Sequence, residues 1–233
     1  MLIVLNNKCN LTKEEFITYQ NELNNIESRN PLVLCPSDVF LSLFSSNKVE
    51  LGSQNVSKTN MGAYTGEVSA NQLKTLNVKY SIVGHSERRK YQKETPTDIN
   101  EKIKRLLEND ITPIYCIGES KEERENKEYK DILKNDILKS LADIKDEDKN
   151  KIIIAYEPIW SIGTGIIPTV EEINEVFEIV KELLPNCKVL YGGSANNKNI
   201  TTLKTINNID GYLLGGISLN LENLKEFLEI LEK

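Results

Sequence analysis

The sequence predicts an α/β fold in which parallel strands close into a single-domain (β/α)8 barrel with helices outside. Three observations carry that expectation. Eight short apolar runs recur along the 233 residues, each rich in Ile, Val, Leu or Tyr. They lack the polar alternation of half-exposed strands, which is how strands buried on both faces read. Helical patterns separate the runs, and strand–helix alternation marks a parallel sheet. An open doubly wound sheet is the alternative, because periodicity does not prove closure. Its G-x-G-x-x-G signature is absent after the first run, where Asn6-Asn7-Lys8 stands instead.

The first run is Leu2–Leu5, followed by Thr12-Lys13-Glu14-Glu15. That tetrapeptide fits a capping box ahead of Phe16, Tyr19, Leu23 and Ile26, which share one helical face. Leu32–Cys35 comes second, and Ser37–Leu43 after it has the least regular helical spacing. Val49–Gly52 is third, with Ser69 as cap of a short helix through Leu73 and Leu76. Tyr80–Val83 and Thr112–Ile117 are the fourth and fifth runs, with helices expected over Ile99–Leu107 and Tyr129–Leu141. Ile152–Tyr156, Val189–Tyr191 and Tyr212–Leu214 complete the strands, paired with helices over Ile173–Leu184, Ile200–Ile206 and Leu221–Leu231. No low-complexity linker or short-period repeat divides the chain, so one domain over residues 1–233 is expected.

Hydrophobic residues at 39% and charged residues at 27% are ordinary for a soluble globular protein. The net charge of -6 argues against generic nucleic-acid binding, which needs a surplus of Lys and Arg. A small anionic ligand is compatible with it, because local field and backbone donors decide that binding. Cys9, Cys35, Cys116 and Cys187 lie far apart without metal-ligand spacing, and Cys35 and Cys116 sit in apolar runs as small hydrophobes. Met1–Leu5 is too short for a signal h-region, and no run approaches a membrane span. A reduced, cytoplasmic compartment is the expectation.

In a β/α barrel, chemistry collects where the strands end. The first strand ends in Asn6-Asn7-Lys8; a lysine is usually a solvated surface group, but this one leaves a buried strand on the predicted active face. The fourth ends in Gly84-His85-Ser86-Glu87-Arg88-Arg89, and His85 is the only histidine. A lone histidine is often structural and cannot build a multi-histidine metal site. At a helix N-terminus, however, its neutral form is favoured, and a neutral imidazole can donate to a developing oxyanion. The sixth run ends in Glu157, either a salt-bridged structural carboxylate or a general base whose pKa burial would raise. The apolar, glycine-punctuated stretch from Ile159 to Gly165 suits a lid that excludes water. The seventh and eighth runs end in Gly192-Gly193-Ser194 and Gly215-Gly216, whose backbone N–H groups can approach an anion. Loops after these two strands often form the phosphate site of such a barrel.

These segments together closely resemble the triosephosphate isomerase family, the namesake of the TIM barrel. The matches are Asn6-x-Lys8, Gly62-Ala63-Tyr64-Thr65-Gly66-Glu67, the Gly84–Arg89 motif, Cys116-Ile117-Gly118-Glu119, Ala155-Tyr156-Glu157-Pro158 through Gly165, Tyr191–Ser194 and Leu214-Gly215-Gly216. They follow family order along essentially the whole chain.

The resemblance implies interconversion of dihydroxyacetone phosphate and D-glyceraldehyde 3-phosphate in glycolysis and gluconeogenesis, with no metal or organic cofactor. It makes Glu157 the base, His85 the neutral electrophile and proton shuttle, Lys8 the positive charge, and Asn6 an orienting group. Ser86 and Glu87 become supports for His85 and Lys8. The N–H groups of Gly163, Ser194, Gly215 and Gly216 become phosphate ligands. It also implies a homodimer joined through the Gln54–Thr65 loop. Three departures from the family pattern stand out: Asn7 in place of an aromatic residue, Ile166-Ile167-Pro168 in place of a more polar hinge, and a shorter stretch from Glu157 to Ser194 that should trim the helix after strand six.

Overall fold

The protein is described from a computed structural model, over residues 1–161 and 167–233. Strands β1 (Leu2–Asn6), β2 (Leu32–Cys35), β3 (Val49–Ser53), β4 (Tyr80–Val83), β5 (Thr112–Ile117), β6 (Ile153–Tyr156), β7 (Lys188–Tyr191) and β8 (Gly211–Leu214) follow one another around the sheet. Each pairs in parallel with its neighbour, and β8 returns to β1 with Leu2 opposite Gly211 and Leu5 opposite Leu214. Closure settles the choice between barrel and open sheet.

The missing polar alternation now has a physical cause. Successive side chains of a strand point to opposite faces. In β1, Leu2 and Val4 join a cluster inside the barrel, while Ile3 and Leu5 pack outward under the helices. In β5 and β6 the inward positions include Cys116 and Ala155, and the outward ones Tyr115 and Tyr156. At these positions small side chains point in and large ones out, while Leu, Ile and Val fill most of the rest of the interior of the eight-stranded barrel. Departures from full burial are confined to Glu50 within β3 and to the first residues of β4, β5 and β7, where Lys188 is exposed and Tyr80 and Thr112 are half-buried.

Helices α1 (Lys13–Leu23), α2 (Ala70–Thr75), α3 (Ser86–Gln92), α4 (Pro96–Glu108), α5 (Lys121–Glu125), α6 (Tyr129–Ser140), α7 (Asp146–Lys149), α8 (Val170–Leu183), α9 (Ile200–Leu203) and α10 (Leu221–Leu231) lie among these strands. The expected capping box at Thr12 is formed, and the expected Ser69 cap forms a capping box with Gln72. Ser37–Leu43 resolves into a 3-10 helix over Asp38–Leu43. The helix after strand six, α8, has 14 residues, the longest among those described.

Candidate active site

The inward alternation carries on past the strand ends and places the polar groups. Leu2 and Val4 are followed on their face by Asn6, and Ile153 and Ala155 by Glu157, so both polar side chains emerge at the barrel mouth. His85 needs a different device. Gly84 has φ +67°, a left-handed turn that ends β4 and starts α3 with His85 as its N-cap. Asn6, Lys8, His85 and Glu157 line one cleft of about 820 Å3.

Glu157 is buried, and its backbone is tightly constrained. Its N–H donates to the Ile117 carbonyl at 2.7 Å. A Cβ on Gly118 would lie 1.9 Å from the Glu157 carbonyl oxygen, so only glycine fits there. The carboxylate accepts from His85 Nε2 at 3.0 Å and from the Ser86 N–H at 2.9 Å. Burial alone would push this carboxyl up. The His85 imidazole, the Ser86 N–H and Lys8 outweigh burial and hold it below the usual carboxylate range.

His85 is also buried, and its Nδ1 accepts from the Glu87 N–H at 3.2 Å. Burial favours the neutral ring. With the Glu157 carboxylate in direct contact, that charge prevails and raises the imidazole above its ordinary value. The Glu87 N–H acts in the opposite sense, since it requires a lone pair on Nδ1.

Lys8 has φ +53°, a conformation that costs a non-glycine residue about 1–2 kcal/mol. Hydrogen bonds hold both sides of that residue. Its N–H donates to Asn6 Oδ1 at 3.0 Å, and its carbonyl accepts from Ser37 Oγ at 3.0 Å and Gln54 Nε2 at 2.8 Å. The ammonium donates to Glu87 Oε1 at 2.6 Å. Asn7 is buried, and its amide donates to Ser218 Oγ at 3.4 Å.

The glycine pairs line the same cleft, Gly192 against Glu157 and Gly215 against Lys8. A Cβ on Gly215 would stand 3.8 Å from Lys8 Nζ, and one on Gly216 would meet nothing within 4 Å. Ser194 lines the cleft, and its hydroxyl donates to the Ser161 carbonyl at 3.0 Å. Gly163, with the rest of the Ile162–Ile166 stretch of the expected lid, lies outside the described residues. At the base of that stretch, Trp160 Nε1 donates to Glu119 at 3.0 Å, and Glu119 also takes Arg124 at 2.7 Å and Tyr156 OH at 2.9 Å.

The structure thus brings together Asn6, Lys8, His85, Glu157, Ser194, Gly215 and Gly216. Ser86 donates its backbone N–H to Glu157, the carboxylate that His85 Nε2 also meets. Gln54, expected only as a contact residue of a loop, reaches inward to the Lys8 carbonyl. Among the described residues, no group of three or more His, Cys, Asp or Glu is placed to hold a metal ion. The arrangement offers a carboxylate, an imidazole N–H and an ammonium around one small space, beside backbone donors suited to an anion.

Comparison with known proteins agrees with this geometry. The family model described as Triosephosphate isomerase matches residues 1–233. A triosephosphate isomerase of Mesomycoplasma hyorhinis is 40% identical, over 98% of this chain and 98% of its own length. One from Dictyoglomus turgidum is 39% identical over 88% of each chain, and one from Mycoplasmopsis agalactiae is 43% identical over 84% of this chain and 78% of its own.

Proposed function

The chain belongs to the triosephosphate isomerase family, and we propose that Glu157, His85, Lys8 and Asn6 carry out its reaction. That reaction interconverts dihydroxyacetone phosphate and D-glyceraldehyde 3-phosphate. The observation carrying the assignment is the direct contact of Glu157 with His85 Nε2 at 3.0 Å in the cleft that Lys8 shares.

Isomerisation moves one proton between neighbouring carbons, with an enediolate between the two sugars. Glu157 takes the proton α to the carbonyl and becomes the neutral acid. The electrons of that C–H bond form the C=C bond as the carbonyl oxygen gains charge. His85 donates from Nε2 to that oxygen and exchanges the proton with the adjacent hydroxyl. Glu157 then returns a proton to the other carbon.

The environment of both groups depends on what separates them. A substrate seated between Glu157 and His85 removes their mutual contact. Burial then strengthens the carboxylate as a base, and burial with the Glu87 N–H favours the neutral imidazole. Asn6 orients the oxygens, and Lys8 supplies positive charge to the anionic substrate and enediolate. Glu87 restrains the ammonium and, through its N–H, the ring. Backbone N–H groups of Gly163, Ser194, Gly215 and Gly216 hold the phosphate, and closure of the Ile159–Gly165 stretch excludes the water that would promote phosphate loss.

Turnover of D-glyceraldehyde 3-phosphate, followed through a coupled dehydrogenase, tests this assignment. The unaltered protein should turn over, and Lys8→Met should lower kcat/KM by on the order of 10²-fold. A folded Lys8→Met variant with unchanged kcat/KM would remove Lys8 from the assignment.

We also propose that residues 1–233 form one domain, an arrangement supported by the β1–β8 pairing of the first and last strands. A homodimer joined through Gln54–Thr65 is proposed as well, because that segment leaves Met61 67% and Tyr64 51% exposed. Light scattering at micromolar concentration should give twice the 26.5 kDa chain mass; a fully active monomer would refute the dimer. Among the described residues no helix is long and apolar enough to cross a membrane. A reducing, cytoplasmic setting is proposed from the four free cysteines.

A further inference from the structure

The second arginine of the Gly84–Arg89 motif touches nothing in the cleft, yet its side chain is fully committed. The β4–β5 ladder stops at Val83 opposite Tyr115, so carbonyls beyond that pair have no strand partner between these strands. Ile117 turns its carbonyl to β6, where it accepts the Glu157 N–H. Neighbouring carbonyls of a strand point to opposite sides, so that of Cys116 faces β4. Arg89 fills the gap: Nε donates to the Gly84 carbonyl at 2.8 Å and Nη2 to the Cys116 carbonyl at 3.0 Å.

The guanidinium is itself fixed. Asp136 of α6 accepts from Nη1 at 3.0 Å and from Nη2 at 2.8 Å, and the fully buried Tyr115 donates its hydroxyl to the same carboxylate at 2.7 Å. The Tyr115 ring lies 5.9 Å from the guanidinium carbon. On the Gly84 side the fit is close, since a Cβ there would come within 2.8 Å of Ile99 Cδ1 and 3.2 Å of Arg89 Nη2. A planar fork with fixed donors can hold two carbonyls and a carboxylate together, which a single ammonium cannot.

We propose that Arg89, locked by Asp136 and Tyr115, is a positioning residue that sets the peptide from which His85 projects. The carbonyl it holds directly precedes His85. The other precedes Ile117, whose own carbonyl holds the Glu157 N–H. One side chain therefore fixes the spacing between the strand end bearing the electrophile and the one supporting the base. Displacement of about 1 Å at such a site is enough to cost about 10²-fold in rate. The proposal rests on the reading of His85 as the electrophile.

The test compares Arg89→Lys, Tyr115→Phe and His85→Gln, with folding checked by circular dichroism. The kinetic readout is the split of kcat against KM. The spectroscopic readout is the imidazole 1H–15N signal, which in the unaltered protein comes from His85 alone because the chain has one histidine. Arg89→Lys should lower kcat about 10- to 100-fold with KM held within about threefold, and should shift the His85 signals. Tyr115→Phe should do the same more weakly, about two- to fivefold in kcat. If His85→Gln kept full kcat, the reading of His85 would fail. If His85→Gln were crippled while folded Arg89→Lys and Tyr115→Phe kept the unaltered kcat and imidazole spectrum, the positioning role would be overturned. Should Arg89→Lys fail to fold, Tyr115→Phe decides by the same two readouts.

Discussion

Glu157→Gln should lower kcat about 10³- to 10⁴-fold, near the upper end of what a positioned base contributes. Glutamine has the same shape and can still accept from the Ser86 N–H that holds the carboxylate at 2.9 Å. It cannot take a proton from carbon. The groups assigned to the phosphate, Ser194, Gly215 and Gly216, belong to loops after β7 and β8 and do not depend on that proton. Affinity for a phosphate-bearing analogue should therefore survive with little change. Comparable loss of kcat and analogue binding would mean that Glu157 is a structural carboxylate.

His85→Gln should cost on the order of 10³-fold in kcat, the upper range for removing a well-aimed donor to a developing oxyanion. The amide retains N–H groups, so the loss isolates the ring's reach and its ability to pass a proton between two oxygens. Loss of the cap is a separate matter. The Glu87 N–H that now meets Nδ1 would need another acceptor, and an N-cap replacement costs roughly 1 kcal/mol of stability. A variant destabilised by that amount but unchanged in kcat would make His85 a helix cap and nothing more.

What was legible in the sequence follows from burial and chain position. Strands covered on both faces betray themselves as apolar runs, and the predicted Leu32–Cys35, Tyr80–Val83 and Thr112–Ile117 agree with β2, β4 and β5 residue for residue. Helices α5 and α7 were not legible from periodicity because neither buries a residue. The Ser120–Glu123 capping box was the available signal for α5. Lys8, His85 and Glu157 could be picked out because each closes an apolar run. Their partnership was hidden, since the 2.9 Å bond from Ser86 to Glu157 spans 71 residues.

The charge state of Glu157 could not be read from the sequence either. Burial suggested a raised carboxyl, whereas contact with His85 and the Ser86 N–H gives the reverse direction. Arg89 stood in a visible motif, but its role depends on Asp136, 47 residues away in α6, whose side chain turns in toward Arg89 and Tyr115. No pattern in the chain marks that aspartate. The Ile162–Ile166 stretch, with Gly163, remains an assignment from the resemblance.

The central claim is that Glu157 moves a proton between the two carbons of the substrate. The most direct measurement is conversion of D-glyceraldehyde 3-phosphate in D2O, followed by 1H NMR of the product. A carboxylic acid formed at Glu157 exchanges with solvent while the enediolate lasts. The dihydroxyacetone phosphate formed by the unaltered protein should therefore carry deuterium, in part, at the carbon that receives the proton, and Glu157→Gln should form almost none of this product. Turnover and deuterium uptake undiminished in folded Glu157→Gln would contradict the claim.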